Sequence, residues 1–253
     1  MRKASPKRLK YFTPQELKTS ARAEAHSALT EHIGQGSIKG LEILEKYKDY
    51  WPNKKENLRI LDCGTASGQF TLELKNLGFE NISAVDFDDY RSPESKQENS
   101  IENFKTGDLS TEPLPWPDDS FDIITAWCVL PHLENPFHFF REVRRALTSN
   151  GLFFFSAPHI SSLMARKRFL KTGEVERYGE QNNHLVAFPE AIVKKMVANH
   201  FEILGTEYYI ERKKLRHSRL GFFKLLGTEK KWFGQKRFQS WFGNDIFYIL
   251  KKK

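Results

Sequence analysis

The chain has 253 residues, 39% hydrophobic and 28% charged, with a formal net charge of +8. That length buries a full core as one domain with decorations, and the sequence has no apolar run of about 18 residues, which excludes a helix that crosses a membrane. Two cysteines exclude a disulfide framework and fit a reducing cytoplasm.

The first ten residues, Met1 to Lys10, are basic and lack an apolar stretch, so no secretory signal is expected. Thr13-Pro14-Gln15-Glu16 has the form of a capping box with proline at the first helical position, and it predicts a helix to about His32. Gly34-Gln35-Gly36 is read as a break. Ser37 then caps a second helix whose apolar positions Ile38, Leu41, Leu44 and Tyr47 keep one face. Pro52 to Asn57 form a loop into the first core strand.

That strand contains Leu58, Ile60 and Leu61 and ends on an acid, Asp62. A small-residue turn follows, then a helix-like run from Gln69 to Leu77, closed by Gly78. Free N–H groups and the positive end of the helix dipole make such a turn a seat for a polar ligand, and Gly64 and Gly68 allow close approach. The dinucleotide pattern G-x-G-x-x-G fails twice, at Ala66 and at Gln69, and D-x-G-x-x-x-G stands instead.

Ile82 to Phe87 read as a second strand ending on Asp86, 22 positions after Gly64. A carboxylate there suits a ribose diol. A surface-turn acid is the alternative, since Asp88 and Asp89 follow. Ile101 to Leu109 read as a third strand and its exit. Asp108 could accept from an adenine amino group while the Leu109 N–H donates to the ring, or Asp108 could simply lead a turn. Leu114-Pro-Trp-Pro-Asp-Asp-Ser120 launches an apolar strand, Phe121 to Trp127, with Asp122 read as structural. Pro136 to Leu147 predict an amphipathic helix with Phe139, Phe140, Val143 and Leu147 inward. Ser149-Asn-Gly151 predicts a turn into the buried strand Leu152 to Ser156. A helix over 188–199, a strand over 201–210 and a last strand within 242–250 complete the rhythm.

Taken in order, these segments resemble the class I S-adenosylmethionine (SAM)-dependent methyltransferases of the type that modifies small molecules and biosynthetic intermediates. The points of resemblance are the D-x-G-x-x-x-G loop, the Leu114–Ile123 passage and the Glu142-x-x-Arg145-x-Leu147 passage. The resemblance covers about residues 55–210 and the last strand. It implies an α/β fold: a Rossmann-like, doubly wound, mostly parallel seven-stranded sheet with an antiparallel last strand. It also implies SAM as cofactor, held by Asp62, Gly64, Thr65, Gly68, Asp86, Phe87, Asp108, Leu109 and Trp127. Residues 1–54 then form a basic tail and helical lid, and 55–253 the methyltransferase domain, with insertions at 159–187 and 211–244.

Two histidines are candidates for catalysis. His132 follows strand four in Cys128-Val-Leu-Pro-His-Leu133, and His184 lies in Asn182-Asn-His-Leu-Val-Ala-Phe188. Either could serve as general base for a hydroxyl acceptor, or His132 could pin a loop. No Cys/His cluster has zinc spacing, so no metal is expected. No Asn/Asp-Pro-Pro-aromatic element follows strand four, and no Pro-Cys pair is present. Both absences argue against methylation of nucleic-acid bases by the mechanisms that use those elements.

The charge is uneven. Residues 212–237 carry ten Lys/Arg against the single acid Glu229, so the rest of the chain is close to neutral. Aromatic residues interleave with these bases. Three readings follow for 211–244: aromatics packed over the acceptor pocket with solvated charges, a segment lying on anionic lipid, or an RNA-binding surface. The reading adopted is methyl transfer to a small-molecule or lipid- or glycan-linked hydroxyl, with peripheral contact at the inner membrane surface through 211–244. RNA methylation is the competing class.

Overall fold

The computed structural model describes residues 13, 15–17, 19–20, 35–91, 93, 96, 101, 103–179, 183–210 and 236–253. Residues 211–235, which hold most of the basic aromatic segment, lie outside the described residues, as does Asn182.

Seven strands form one sheet in the order β3-β2-β1-β4-β5-β7-β6. They are β1 (Arg59–Cys63), β2 (Asn81–Asp86), β3 (Asn103–Thr106), β4 (Phe121–Trp127), β5 (Leu147–Pro158), β6 (Phe201–Tyr209) and β7 (Asp245–Lys252). The pairs among β1 to β5 are parallel, and β7 runs antiparallel to both β5 and β6. The predicted sheet, with its single reversed last strand, is the one found.

The central strands are apolar on both sides because both faces are covered. Ile60, Ile123, Leu152, Phe154 and Phe247 point to one face, where α1 (Gln35–Lys46) brings Ile43 and Leu44 and α2 (Gln69–Asn76) brings Phe70 and Leu74. Leu61, Ile124, Ala126, Phe153 and Phe155 point to the other. There α3 (Pro136–Ala146) supplies Phe139, Phe140 and Val143, and α5 (Glu190–Val197) supplies Val193, Met196 and Val197. Between them in sequence lies α4 (Leu163–Thr172), and α6 (Lys236–Phe242) precedes β7.

Local signals explain most boundaries. Thr13 and Glu16 form the reciprocal capping bonds, both at 3.2 Å. Asn135 caps α3 by accepting from His138 N at 3.1 Å, with Pro136 at the first helical position. Asp122 accepts from the Arg59 backbone N–H and from its guanidinium, and from Thr148 Oγ1, so it ties the start of β1 to β4 and β5, as its structural reading required.

Two boundaries differ from expectation. Helix α1 already includes Gln35 and Gly36, so Ser37 lies inside it rather than at its cap. The Ser149–Gly151 turn is an irregularity inside β5: pairing passes from Phe121↔Leu147 to Ile123↔Leu152, and Asn150 takes up the extra chain at φ 65°.

Candidate cofactor and acceptor site

The β1–α2 loop turns by alternating left-handed residues: Gly64 at φ 73°, Ala66 at 46° and Gly68 at 79°. Gly64 has no substitute, because a Cβ there would lie 2.4 Å from Val129 Cγ2. The loop is tied to the end of β2. Gly64 N–H donates to the Val85 carbonyl at 2.8 Å, and Ala66 N–H donates to Asp86 Oδ2 at 2.8 Å. Asp86 Oδ1 accepts from Phe87 N–H at 2.7 Å. Burial pushes the Asp86 carboxyl up to about 6 against the pull of these two donors.

Beneath the loop Asp62 is 2% exposed and accepts a 2.6 Å bond from Thr125 Oγ1. Burial pushes Asp62 up to about 7, although the hydrogen bond from Thr125 opposes the shift. Asp108 accepts from Ser110 N–H at 2.8 Å and Thr111 Oγ1 at 2.7 Å, so the Asp-led turn is formed.

A cavity of about 380 Å³ opens at the carboxyl ends of β1, β2 and β4. Gly64, Asp86, Phe87, Asp108, Leu109, Trp127 and His132 of the sequence-derived set line it. Asp62, Thr65, Gly68 and His184 do not: the first three shape the loop from behind, and His184 packs behind His132. Sequence reasoning missed Leu17, Tyr90, Ser110 and Asn183, which also line the wall. Leu17 and Asn183 arrive from segments far away in sequence.

The far end of the cavity is built by two segments that meet. Leu185 and Val186 N–H both donate to the Pro131 carbonyl, at 2.6 and 3.2 Å. His132 Nδ1 lies 3.2 Å from the Asn183 carbonyl, an oxygen that can only accept, so Nδ1 carries the proton and Nε2 the lone pair. The His132 and His184 rings meet edge to face at 4.7 Å. Burial first, then the electrostatic influence of the nearby His132 and Arg177, pushes His184 down to about 3. That departs from the near-neutral value a general base wants. Asn183 is 7% exposed, and its Oδ1 has no partner among the described residues. Alongside, Cys128 holds φ 56° and donates its N–H to Ser156 Oγ at 3.0 Å, and Arg177 pairs with Asp245.

The comparisons with known proteins agree with this geometry. Residues 61–155 match the methyltransferase domain family. An uncharacterized methyltransferase of Bacillus subtilis (strain 168), YcgJ, is 34% identical over 97 residues, which span 38% of this chain and 38% of that relative. Among solved structures, an S-adenosylmethionine-dependent methyltransferase from Mesorhizobium loti superposes with a TM-score of 0.55 at 18% identity, covering 86% of this chain and 98% of that one. The [4+2]-cyclase SpnF superposes with a TM-score of 0.54 at 17% identity, covering 83% and 80%. At such identities the structures establish the fold alone, and the cyclase shows that a fold does not name a reaction. Residues 61–155 are thus similar to the methyltransferase domain family, and the sheet built around them has the fold of S-adenosylmethionine-dependent methyltransferases.

Proposed function

We propose that the protein transfers a methyl group from SAM to a hydroxyl of a small-molecule or lipid- or glycan-linked acceptor. The observation that carries the reading is the continuity of one cavity from Asp86 and Asp108 to His132 and Asn183. A nucleoside cofactor fits the first end: Asp86 keeps lone pairs for a diol beyond its two backbone bonds, Asp108 and Leu109 border the adenine position, and Gly64 lets the rest of the cofactor approach the loop. A volume of about 380 Å³ is near the small end of the ~300–1,000 Å³ range of ligand pockets, which suits one cofactor. The acceptor then comes in at the His132–Asn183 end.

When bound, SAM supplies an electrophilic methyl on a sulfonium. The chain's own residues hold the acceptor in line, exclude water and take the proton. His132 is the base of choice, because its Nδ1–H bond to the Asn183 carbonyl leaves the lone pair on Nε2. His184 serves this reading as the ring that holds His132 in place; a group pushed down to about 3 is a weak base at neutral pH. Asn183 Oδ1 offers the acceptor a hydrogen-bond acceptor.

The test is transfer of labelled methyl from SAM into fractionated cell extract by the wild-type protein and by His132→Gln. The reading expects incorporation into a small or lipid-extractable product, lowered about 10²-fold or more by His132→Gln with SAM affinity unchanged. Labelling of RNA instead would establish the competing class. An unchanged rate in His132→Gln would remove it as the base.

A further inference from the structure

The surface beside the acceptor end has an unusual composition. Helix α4 follows β5 at its carboxyl end, and α6 leads into β7, whose first residue pairs with Pro158, so both helices sit on the edge of the sheet that carries the cavity. They pack on each other. Only Ala165 of α4 is buried, at 4% exposure. Leu163, Arg166, Lys167 and Leu170 follow at i, i+3, i+4 and i+7, which puts them on one outward face, opposite Ala165.

That face is apolar and basic at once. On it Leu170 is 86% exposed and Leu163 51%; Phe169, on the flank toward Ala165, is 52% exposed and Trp241 of α6 51%. Residues 160–172 contain Arg166, Lys167, Arg168 and Lys171 and no acid. Arg168 pairs with Glu174, whereas Arg166, Lys167 and Lys171 form no ion pair among the described residues. Exposing a leucine this fully on a soluble surface forgoes a burial term, and holding like charges together adds repulsion. An anionic bilayer relieves both costs: aliphatic side chains enter the acyl boundary while the bases meet lipid phosphates.

We propose that the outward face of α4, with Trp241 of α6, docks the protein on an anionic lipid surface and brings the acceptor end of the cavity to the bilayer. Charge complementarity selects an anionic surface, and the exposed aliphatics select lipid over nucleic acid. Leu163 and Leu170 would add nothing to phosphate contact or base stacking, which use bases and aromatics. Docking does not depend on which molecule is methylated.

Co-sedimentation with vesicles tests it, using full-length protein and vesicles of phosphatidylcholine with and without phosphatidylglycerol. Wild type should bind the mixed vesicles and not the neutral ones. Leu170→Ser should weaken binding about tenfold or more, and Lys167→Glu about fivefold or more. Both should keep the wild-type melting temperature and SAM affinity, which separates loss of docking from loss of fold or of cofactor binding. Failure to bind mixed vesicles, or equal binding by wild type and Leu170→Ser, would overturn the proposal. So would capture of single-stranded RNA in place of vesicles, sensitive to Lys167→Glu and indifferent to Leu170→Ser.

Discussion

Asp86 is a carboxylate with two backbone donors already in place, and its position was legible in the sequence from the strand that ends on it. The raised proton affinity was not legible, because burial depends on what closes over the loop. Sign and window follow from that shift. The ionised form offers the most acceptors to a diol, so SAM affinity should fall as pH drops through about 6, close to tenfold between about pH 7 and about pH 5, in calorimetric titrations. In Asp86→Asn the profile should be flat over the same range. Asp62 acts on stability instead. Its folded value of about 7 lies above its unfolded one, so its stabilising contribution is present at low pH and is lost as pH rises through about 7. Asp62→Asn should therefore raise the melting temperature near pH 8 and change it little near pH 4. Gly64→Ala, with a positive φ and a Cβ only 2.4 Å from Val129 Cγ2, should destabilise the protein by roughly 2–3 kcal/mol in denaturant unfolding.

At the scale of elements, two sequence motifs that were read separately prove to be one unit. Arg145 donates to the carbonyls of Leu114 and Trp116, to Asp118 and to Glu142, and Glu142 accepts from Leu114 N–H. The Leu114–Ser120 turn is thus clamped by the Glu142-x-x-Arg145 pair of α3. Lysine cannot reproduce a planar fork, so Arg145→Lys should cost about 1–3 kcal/mol of stability without altering SAM affinity. Helix α1 meets the site through Gly40. An added Cβ would lie 2.7 Å from the Trp127 indole, which Phe70 and Phe247 hold at 5.5 and 5.7 Å. Alanine would gain at most about 1 kcal/mol of helix propensity at that position. Displacing a packed indole costs more, so Gly40→Ala should lower both the melting temperature and SAM affinity. The sequence marked Gly40 only as part of an amphipathic helix, because its contact with Trp127 is a matter of tertiary packing.

For the whole molecule, alternating apolar strands and helices carried the fold a long way. Parallel strands covered on both faces read as continuous apolar runs, and Phe121 to Trp127 was delimited to the residue. Less legible was the joining of distant segments. Asn183 and Pro131 meet because residues 183–186 dock on the turn after β4, and no local pattern announces that contact. The histidines show the same limit: both were visible, but which of them faces the cavity is set by the order in which the two segments stack. Charge is likewise a property of position. A net +8 says little until it is placed on particular faces, and α4 shows bases and leucines sharing one.

The central claim is that the cavity at the carboxyl ends of β1, β2 and β4 holds SAM through Asp86. Isothermal titration calorimetry of SAM against the wild-type protein and Asp86→Asn, with melting temperatures taken in parallel, tests it most directly. Saturable binding at one site per chain is expected, weakened at least about tenfold by the substitution while melting stays within a few degrees of wild type. Absence of binding to the wild-type protein, or equal affinity in the two, would contradict it.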